Sequence, residues 1–303
     1  MTAPGNNTQP QSVAAFYEAA VEQLNRAELS YGHGCTCPED EVAWLISATL
    51  DVPFDELDKH WSLPLSDADR ATLQARLNER CTTKAPLAYI LGEAWLGPYI
   101  FKIDRRVIVP RSFIAELLMD DMAPWIKNPA AVTRVADICT GSSCLAILAA
   151  LHFPNSQVDA VDLSPEALEV ARINVDMYGI GDRLKLHQGD LMTPVLDQQY
   201  DLIISNPPYV DAESMNALPA EYQHEPEMAL AGGNDGLDLV HTLLRQAAKT
   251  LKPGGWLVVE IGHNRHVMEA TYPDLPLVWL DTAGGSDFVF LIDQASLQKL
   301  QSP

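Results

Sequence analysis

The sequence predicts an α/β protein in three parts: a small helical domain, a linking β-hairpin, and a large domain built on a seven-stranded parallel sheet with crossover helices. Three observations carry this. From Arg134 onward short apolar runs alternate with helical stretches, the rhythm of strands joined by helices. Before about residue 95 the chain reads as three helical stretches and no strands. The chain's 303 residues, 47% of them hydrophobic and 20% charged, are enough to bury a core in each part.

A polar leader to about Ser12 is read as loose. Val13, Phe16, Tyr17, Ala20, Val21 and Leu24 recur at helical spacing and predict an amphipathic helix from Val13 to Arg26. A Gly, Cys and Pro break over Gly32 to Pro38 precedes a second helix, Glu39 to Leu50. A third runs from Ser66 to Arg80, opened by Ser66-Asp67, where a side-chain oxygen can cap the first-turn amides. Short helices persist by packing on one another, so residues 1–95 form a helical domain. Tyr99 to Ile103 and Val107 to Val109 flank Asp104-Arg105-Arg106 and predict the linking hairpin, residues 96–110. Pro110 then starts a helix through Arg111, Phe113, Leu117 and Met122, opening the large domain, residues 111–303. Its strands are expected at Arg134–Cys139, Gln157–Asp162, Arg183–Gly189, Tyr200–Asn206, Gly255–Gly262, Leu275–Asp281 and Ser286–Asp293. Helices are expected at Ser143–His152, Pro165–Tyr178, Leu237–Leu251 and Asn264–Thr271.

Composition narrows the function. Twenty Lys and Arg against 41 Asp and Glu leave a formal charge of −21, a field that repels phosphate backbones and attracts cationic partners. Bulk nucleic-acid binding is disfavoured. Five cysteines without framework spacing speak against a disulfide-stapled secreted fold. The N-terminus lacks a signal peptide's basic and apolar regions, and no apolar run is long enough for a membrane helix. The expectation is a cytoplasmic enzyme with no membrane contact.

The chemistry lies at strand ends. Asp137-Ile138-Cys139-Thr140-Gly141-Ser142-Ser143-Cys144 closes the first strand of the sheet and opens the first helix, where small residues let a ligand approach the backbone. Asp162 ends the next strand and can accept both ribose hydroxyl protons. Asp190 ends the third in the same way, followed by Leu191, and Asn206 ends the fourth. Singly each is a common cap or turn residue; together they converge on one rim. A nicotinamide site would need three glycines in G-x-G-x-x-G, and here Gly141 stands alone. A nucleoside cofactor without a phosphate cradle fits, and S-adenosylmethionine is that cofactor.

Asn206-Pro207-Pro208-Tyr209 follows the apolar strand directly. The two prolines remove two backbone donors, so the corner offers acceptors: the side-chain oxygen of Asn206 and the carbonyl of Pro207. An NH2 group held by both directs its nitrogen lone pair at a methyl donor, while Tyr209 supplies a flat face. This is catalysis by positioning and electrostatics rather than by a strong base.

These motifs look like the class I S-adenosylmethionine-dependent methyltransferases, with a Rossmann-like seven-stranded sheet, that act on planar nitrogens. With Val109-Pro110-Arg111 before the domain, and Glu225-Pro226, Ala229-Leu230, Gly232-Gly233 and Asp235-Gly236-Leu237 after the corner, the chain resembles the protein glutamine N(5)-methyltransferases over residues 15 to 293. That family methylates the glutamine of Gly-Gln segments in translation proteins. One branch acts on peptide-chain release factors, the other on large ribosomal subunit protein three. The loop Cys139 to Cys144, Pro110-Arg111-Ser112, and Glu221 to Pro226 look like the ribosomal-protein branch, which implies a basic ribosomal protein as partner, with the Gly-Gln motif of release factors as the alternative substrate. By that resemblance the Cys139–Ser143 loop, Asp137, Asp162, Asp190, Leu191 and Asn206 hold the cofactor. Asn206, Pro207, Pro208 and Tyr209 hold the substrate glutamine, and the helical domain recognises the substrate protein. Ser143 departs from the family's glycine. If that position needs a positive φ, serine costs about 1 kcal/mol or more.

Two rival readings are an adenine-specific nucleic-acid methyltransferase, whose substrate amino group fits the same clamp but whose phosphate contacts the charge opposes, and a non-catalytic ribosome assembly factor, against which the acceptor-only corner speaks. His33, Cys35 and Cys37 lack four-ligand metal spacing, so no metal is expected. Cys139 and Cys144 have no activating base by sequence. His224 is read as an exposed loop residue. Arg111 is a candidate for holding the substrate backbone, with a carboxylate pair as its structural alternative.

Overall fold

The computed structural model describes residues 11–301; the polar leader, residues 1–10, lies outside them. The described chain divides into two compact units.

The first unit runs to Gly92 and includes Pro219–His224. It contains α1 (Val13–Arg26), α2 (Pro38–Leu50), α3 (Asp67–Thr83) and the short α4 (Leu87–Leu91). Ser12 and Ser66 cap α1 and α3 by accepting from Ala15 N and Asp69 N. The core is apolar, with Phe16, Leu24, Leu45, Ile46, Leu73 and Leu77 buried. Within it the Arg80 guanidinium is buried against Glu41 (2.5 Å) and Glu221 (3.3 Å) and donates to Ser30 O. The His33 ring packs on Tyr222, 4.4 Å between centroids, and His224 bonds Thr83 O.

The second unit opens with a hairpin placed differently from expectation. Its strands are β1 (Glu93–Leu96) and β2 (Tyr99–Lys102), turned at Gly97 with φ +58°. Val107–Val109 is no strand: Val107 N closes a turn onto Asp104 O, and Val109 N donates to Glu225, so neither is free for a ladder. The helix expected from Pro110 is likewise shorter, α5 (Ile114–Met119). Pro110 and Arg111 precede it outside any helix or strand.

The main sheet follows the predicted strands closely: β3 (Arg134–Ile138), β4 (Gln157–Asp162), β5 (Leu184–Gln188), β6 (Tyr200–Ser205), β7 (Leu251–Glu260), β8 (Val278–Thr282) and β9 (Gly285–Asp293). Between them lie α6 (Cys144–His152), α7 (Pro165–Tyr178), the short α8 (Ala212–Met215), α9 (Asp238–Thr250) and α10 (Arg265–Thr271), with α11 (Gln294–Gln298) at the end. The order is β5-β4-β3-β6-β7-β9-β8. The first five strands are parallel, but β9 runs antiparallel to both neighbours, correcting the all-parallel expectation. The cause is the two-residue connection Ala283-Gly284, which can only make a hairpin. Registers Ile138↔Val161, Ile138↔Ser205 and Asp162↔Gln188 bring the carboxyl ends of β3, β4, β5 and β6 level.

Candidate active site

Level strand ends produce a rim, and on it lies a cleft of about 790 Å³ including its open mouth. Of the sequence-predicted residues, Cys139, Gly141, Asp162, Asp190, Leu191, Asn206 and Pro208 line it. Asp137, Thr140, Ser142 and Ser143 are buried and stand behind its wall.

Those buried residues shape the loop. Asp137 Oδ2 accepts from Thr140 Oγ1 (2.5 Å) and from Ala146 N in the first turn of α6 (3.0 Å), so one carboxylate ties the loop to the helix it opens. Burial is the main force on this group and pushes its pKa up to about 7. Thr140 N donates to Val161 O and Gly141 N to Asp162 Oδ2 (2.8 Å), clipping the loop to the end of β4. The backbone turns left-handed at Cys139 (φ +62°), Gly141 (φ +54°) and Ser143 (φ +62°). Ser143 therefore occupies the conformation whose cost the sequence raised; strain of this kind is tolerated where the surroundings fix the backbone. Asn174 of α7, fully buried, adds a further tie: it donates to Ser142 O and Lys102 O and accepts from Lys102 N.

Asp162 Oδ1 accepts from Ser164 N while Oδ2 takes Gly141 N, leaving lone pairs on both oxygens for the cleft. Burial raises its pKa above the ordinary aspartate range. Across the cleft, Ser205 Oγ donates to Ile138 O (2.7 Å), locking the end of β6 beside Cys139. The next residue, Asn206, has its side-chain Oδ1 buried and without a hydrogen-bond partner. A buried acceptor left unmatched is costly, and here it belongs to a residue of the cleft lining. Pro207 is buried, and Tyr209 lies outside the cleft lining with its ring packed on Gly262.

The sequence reading missed further lining residues, among them Arg106, Val107, Ile108, Pro226, Met228 and Ala229. Two buried carboxylates hold the chain that follows the first three. Glu225 takes a bidentate pair with Arg111 (2.5 and 2.7 Å) and the Val109 amide. Glu260, pushed up to about 7 by burial, accepts from Ser112 Oγ and Phe113 N. Arg111 is thus found in its carboxylate-paired role. The Glu225-Pro226 dipeptide was visible in the sequence, but nothing local says which strand end it faces.

Burial raises the thiol pKa of Cys139 and of Cys144, the latter to about 12, so neither is a thiolate nucleophile near neutrality. Among the described residues no group of three or more His, Cys, Asp or Glu is placed to hold a metal, and no helix is long and apolar enough to cross a membrane. The donor set of the cleft fits a nucleoside with an attached cation: a carboxylate at Asp162, apolar walls at Leu163 and Leu191, and open space beside Gly141.

Comparison with known proteins agrees. The methyltransferase small domain matches residues 115–221, and the Eco57I restriction-modification methylase family matches residues 180–272. A Neisseria gonorrhoeae protein named ribosomal protein uL3 glutamine methyltransferase is 50% identical over 278 residues, 92% of this chain and 93% of its own. A Bordetella pertussis protein of the same name is 49% identical over 292 residues, 96% of this chain and 98% of its own. Among solved structures, the hMettl16 catalytic domain in complex with MAT2A 3′UTR hairpin 1 superposes with a TM-score of 0.50 at 17% identity. It covers 83% of this chain and 89% of that one, a likeness of fold.

Proposed function

Because the chain belongs to the ribosomal protein uL3 glutamine methyltransferases, we propose that it transfers a methyl group to the side-chain amide nitrogen of a glutamine in ribosomal protein uL3. The observation that carries the site assignment is Asn206, which lines the same cleft as Asp162 and whose Oδ1 is buried and unmatched.

Bound in that cleft, S-adenosylmethionine supplies an electrophilic methyl carbon on a positively charged sulfur. Asp162 would hold its ribose, Leu163 and Leu191 its base, and the Cys139–Gly141 backbone its chain. Asn206 Oδ1 and the Pro207 carbonyl accept the two amide protons of the glutamine, which orients the nitrogen and favours the pyramidal geometry it needs for attack. Pro207 and Pro208 carry no N–H, so no backbone donor at these two positions competes for the acceptors. The amide proton leaves late, to Asn206, the Pro207 carbonyl or water. The first unit is the platform for the substrate protein, and the cytoplasm is the compartment this reading implies.

The test is incubation of the protein with labelled S-adenosylmethionine and, separately, purified uL3, a release factor and DNA, followed by mass mapping. Label on a glutamine of uL3 is expected. Label on the release factor alone, or on adenine, overturns the substrate assignment.

A further inference from the structure

The acceptor corner works only if its far end is fixed, and the side chain that grips that end plays no part in the reading above. Asn264 is the N-cap residue of α10 (φ −87°, ψ 15°). An asparagine at that place ordinarily uses its side-chain oxygen to accept from the helix's first turn. Asn264 makes no such bond. Its Nδ2 instead donates to Tyr209 O at 2.8 Å, across 55 residues of chain.

The surroundings leave room for that bond and little else. A Cβ on Gly236 (φ +78°) would stand 2.4 Å from the same carbonyl oxygen and 2.5 Å from Asn264 Nδ2. A Cβ on Gly262 (φ +56°) would stand 2.6 Å from the Tyr209 ring, and one on Gly232 would stand 2.6 Å from Tyr209 Cα. The frame behind Asn264 is tied down as well. Ile261 N donates to Phe288 O, and Arg265 pairs with Glu269 and Asp287 while lying 4.8 Å over the Trp279 ring.

We propose that Asn264 is a positioning residue for methyl transfer. By fixing the Tyr209 carbonyl it sets the backbone that follows Pro208, and with it the aim of the two amide acceptors. The inference rests on the assignment of Asn206 and Pro207 as the clamp.

Asn264→Asp is nearly isosteric but has no donor at neutral pH, Asn264→Ala removes the group, and Asn264→Gln keeps the donor one methylene further out. Each is assayed beside wild type with uL3, separating kcat from KM, with S-adenosylmethionine affinity by calorimetry and the thermal midpoint by scanning. The expected result is a kcat ten- to hundredfold lower in the Ala and Asp variants, the scale of a small misplacement of reacting groups. Cofactor affinity stays within threefold, the proteins stay folded at the assay temperature, and Gln recovers part of the loss. Turnover within threefold of wild type in the Ala and Asp variants overturns the inference. So does a loss of kcat matched by equal loss of cofactor binding or of fold, or a Gln variant no better than Ala. Failure of the underlying function shows separately, as wild type that labels no glutamine of uL3.

Discussion

At the scale of single residues the proposed site divides its labour between two polar groups, and their removal should separate. Asn206→Ala deletes one acceptor of the proposed amide clamp and leaves Asp162, another residue of the cleft lining, in place. The expected outcome is a kcat lowered roughly 10²- to 10³-fold, the size of losing one preorganised electrostatic contact, with cofactor affinity by calorimetry within threefold. Asp162→Ala does the reverse. It removes the carboxylate facing the cleft and also strands the Gly141 and Ser164 amides, so affinity for S-adenosylmethionine should fall by about 2 kcal/mol or more. Burial raises the Asp162 pKa, and binding needs the carboxylate form. Wild-type affinity measured against pH should therefore weaken on acidification through a value above the ordinary aspartate range, and the variant should lose that acid limb. Both polar groups were legible in the sequence because each sits at the end of an apolar run. The Asn264 bond was not, because an N-cap asparagine has a local explanation that hides its distant partner.

At the scale of elements, strands and helices of the sheet were readable to within a few residues, since fully apolar runs such as Leu202–Ile204 admit few alternatives. The errors arose where two signals competed. Val107-Ile108-Val109 is β-branched and looks like a strand, but its amides are taken by Asp104 and by Glu225, a partner 116 residues from Val109. The Gly97-Pro98 turn, a stronger hairpin signal, places the real hairpin six to eight residues earlier. That hairpin matters to the cofactor loop through Asn174, which ties β2 to Ser142 O from within α7. Asn174→Ala would leave one amide and two carbonyls without that partner in a buried setting, at a cost of about 2–4 kcal/mol. Denaturant unfolding should show that loss, and calorimetry a weaker S-adenosylmethionine affinity, because the 139–143 loop loses a tether. A variant as stable as wild type would mean the hairpin and loop are held by other contacts.

At the scale of the whole molecule the governing quantity is charge. A chain with 41 acidic and 20 basic residues presents a negative field to a basic ribosomal protein, and such fields act chiefly on encounter rather than on the bound complex. Screening shortens their reach from about 10 Å at 0.1 M salt to about 3 Å at 1 M. If the acidic surface steers the substrate, raising salt from about 0.05 to 0.5 M should lower kcat/KM for intact uL3 about tenfold, in keeping with electrostatic steering. Over the same range kcat should stay within twofold, because the proposed clamp of Asn206 and Pro207 would work at contact distance. A short uncharged peptide carrying the same glutamine supplies the control: it presents no net charge to the field, so its kcat/KM should be flat. A flat profile for intact uL3 as well would assign the acidic surface to solubility and leave recognition to shape and hydrogen bonding.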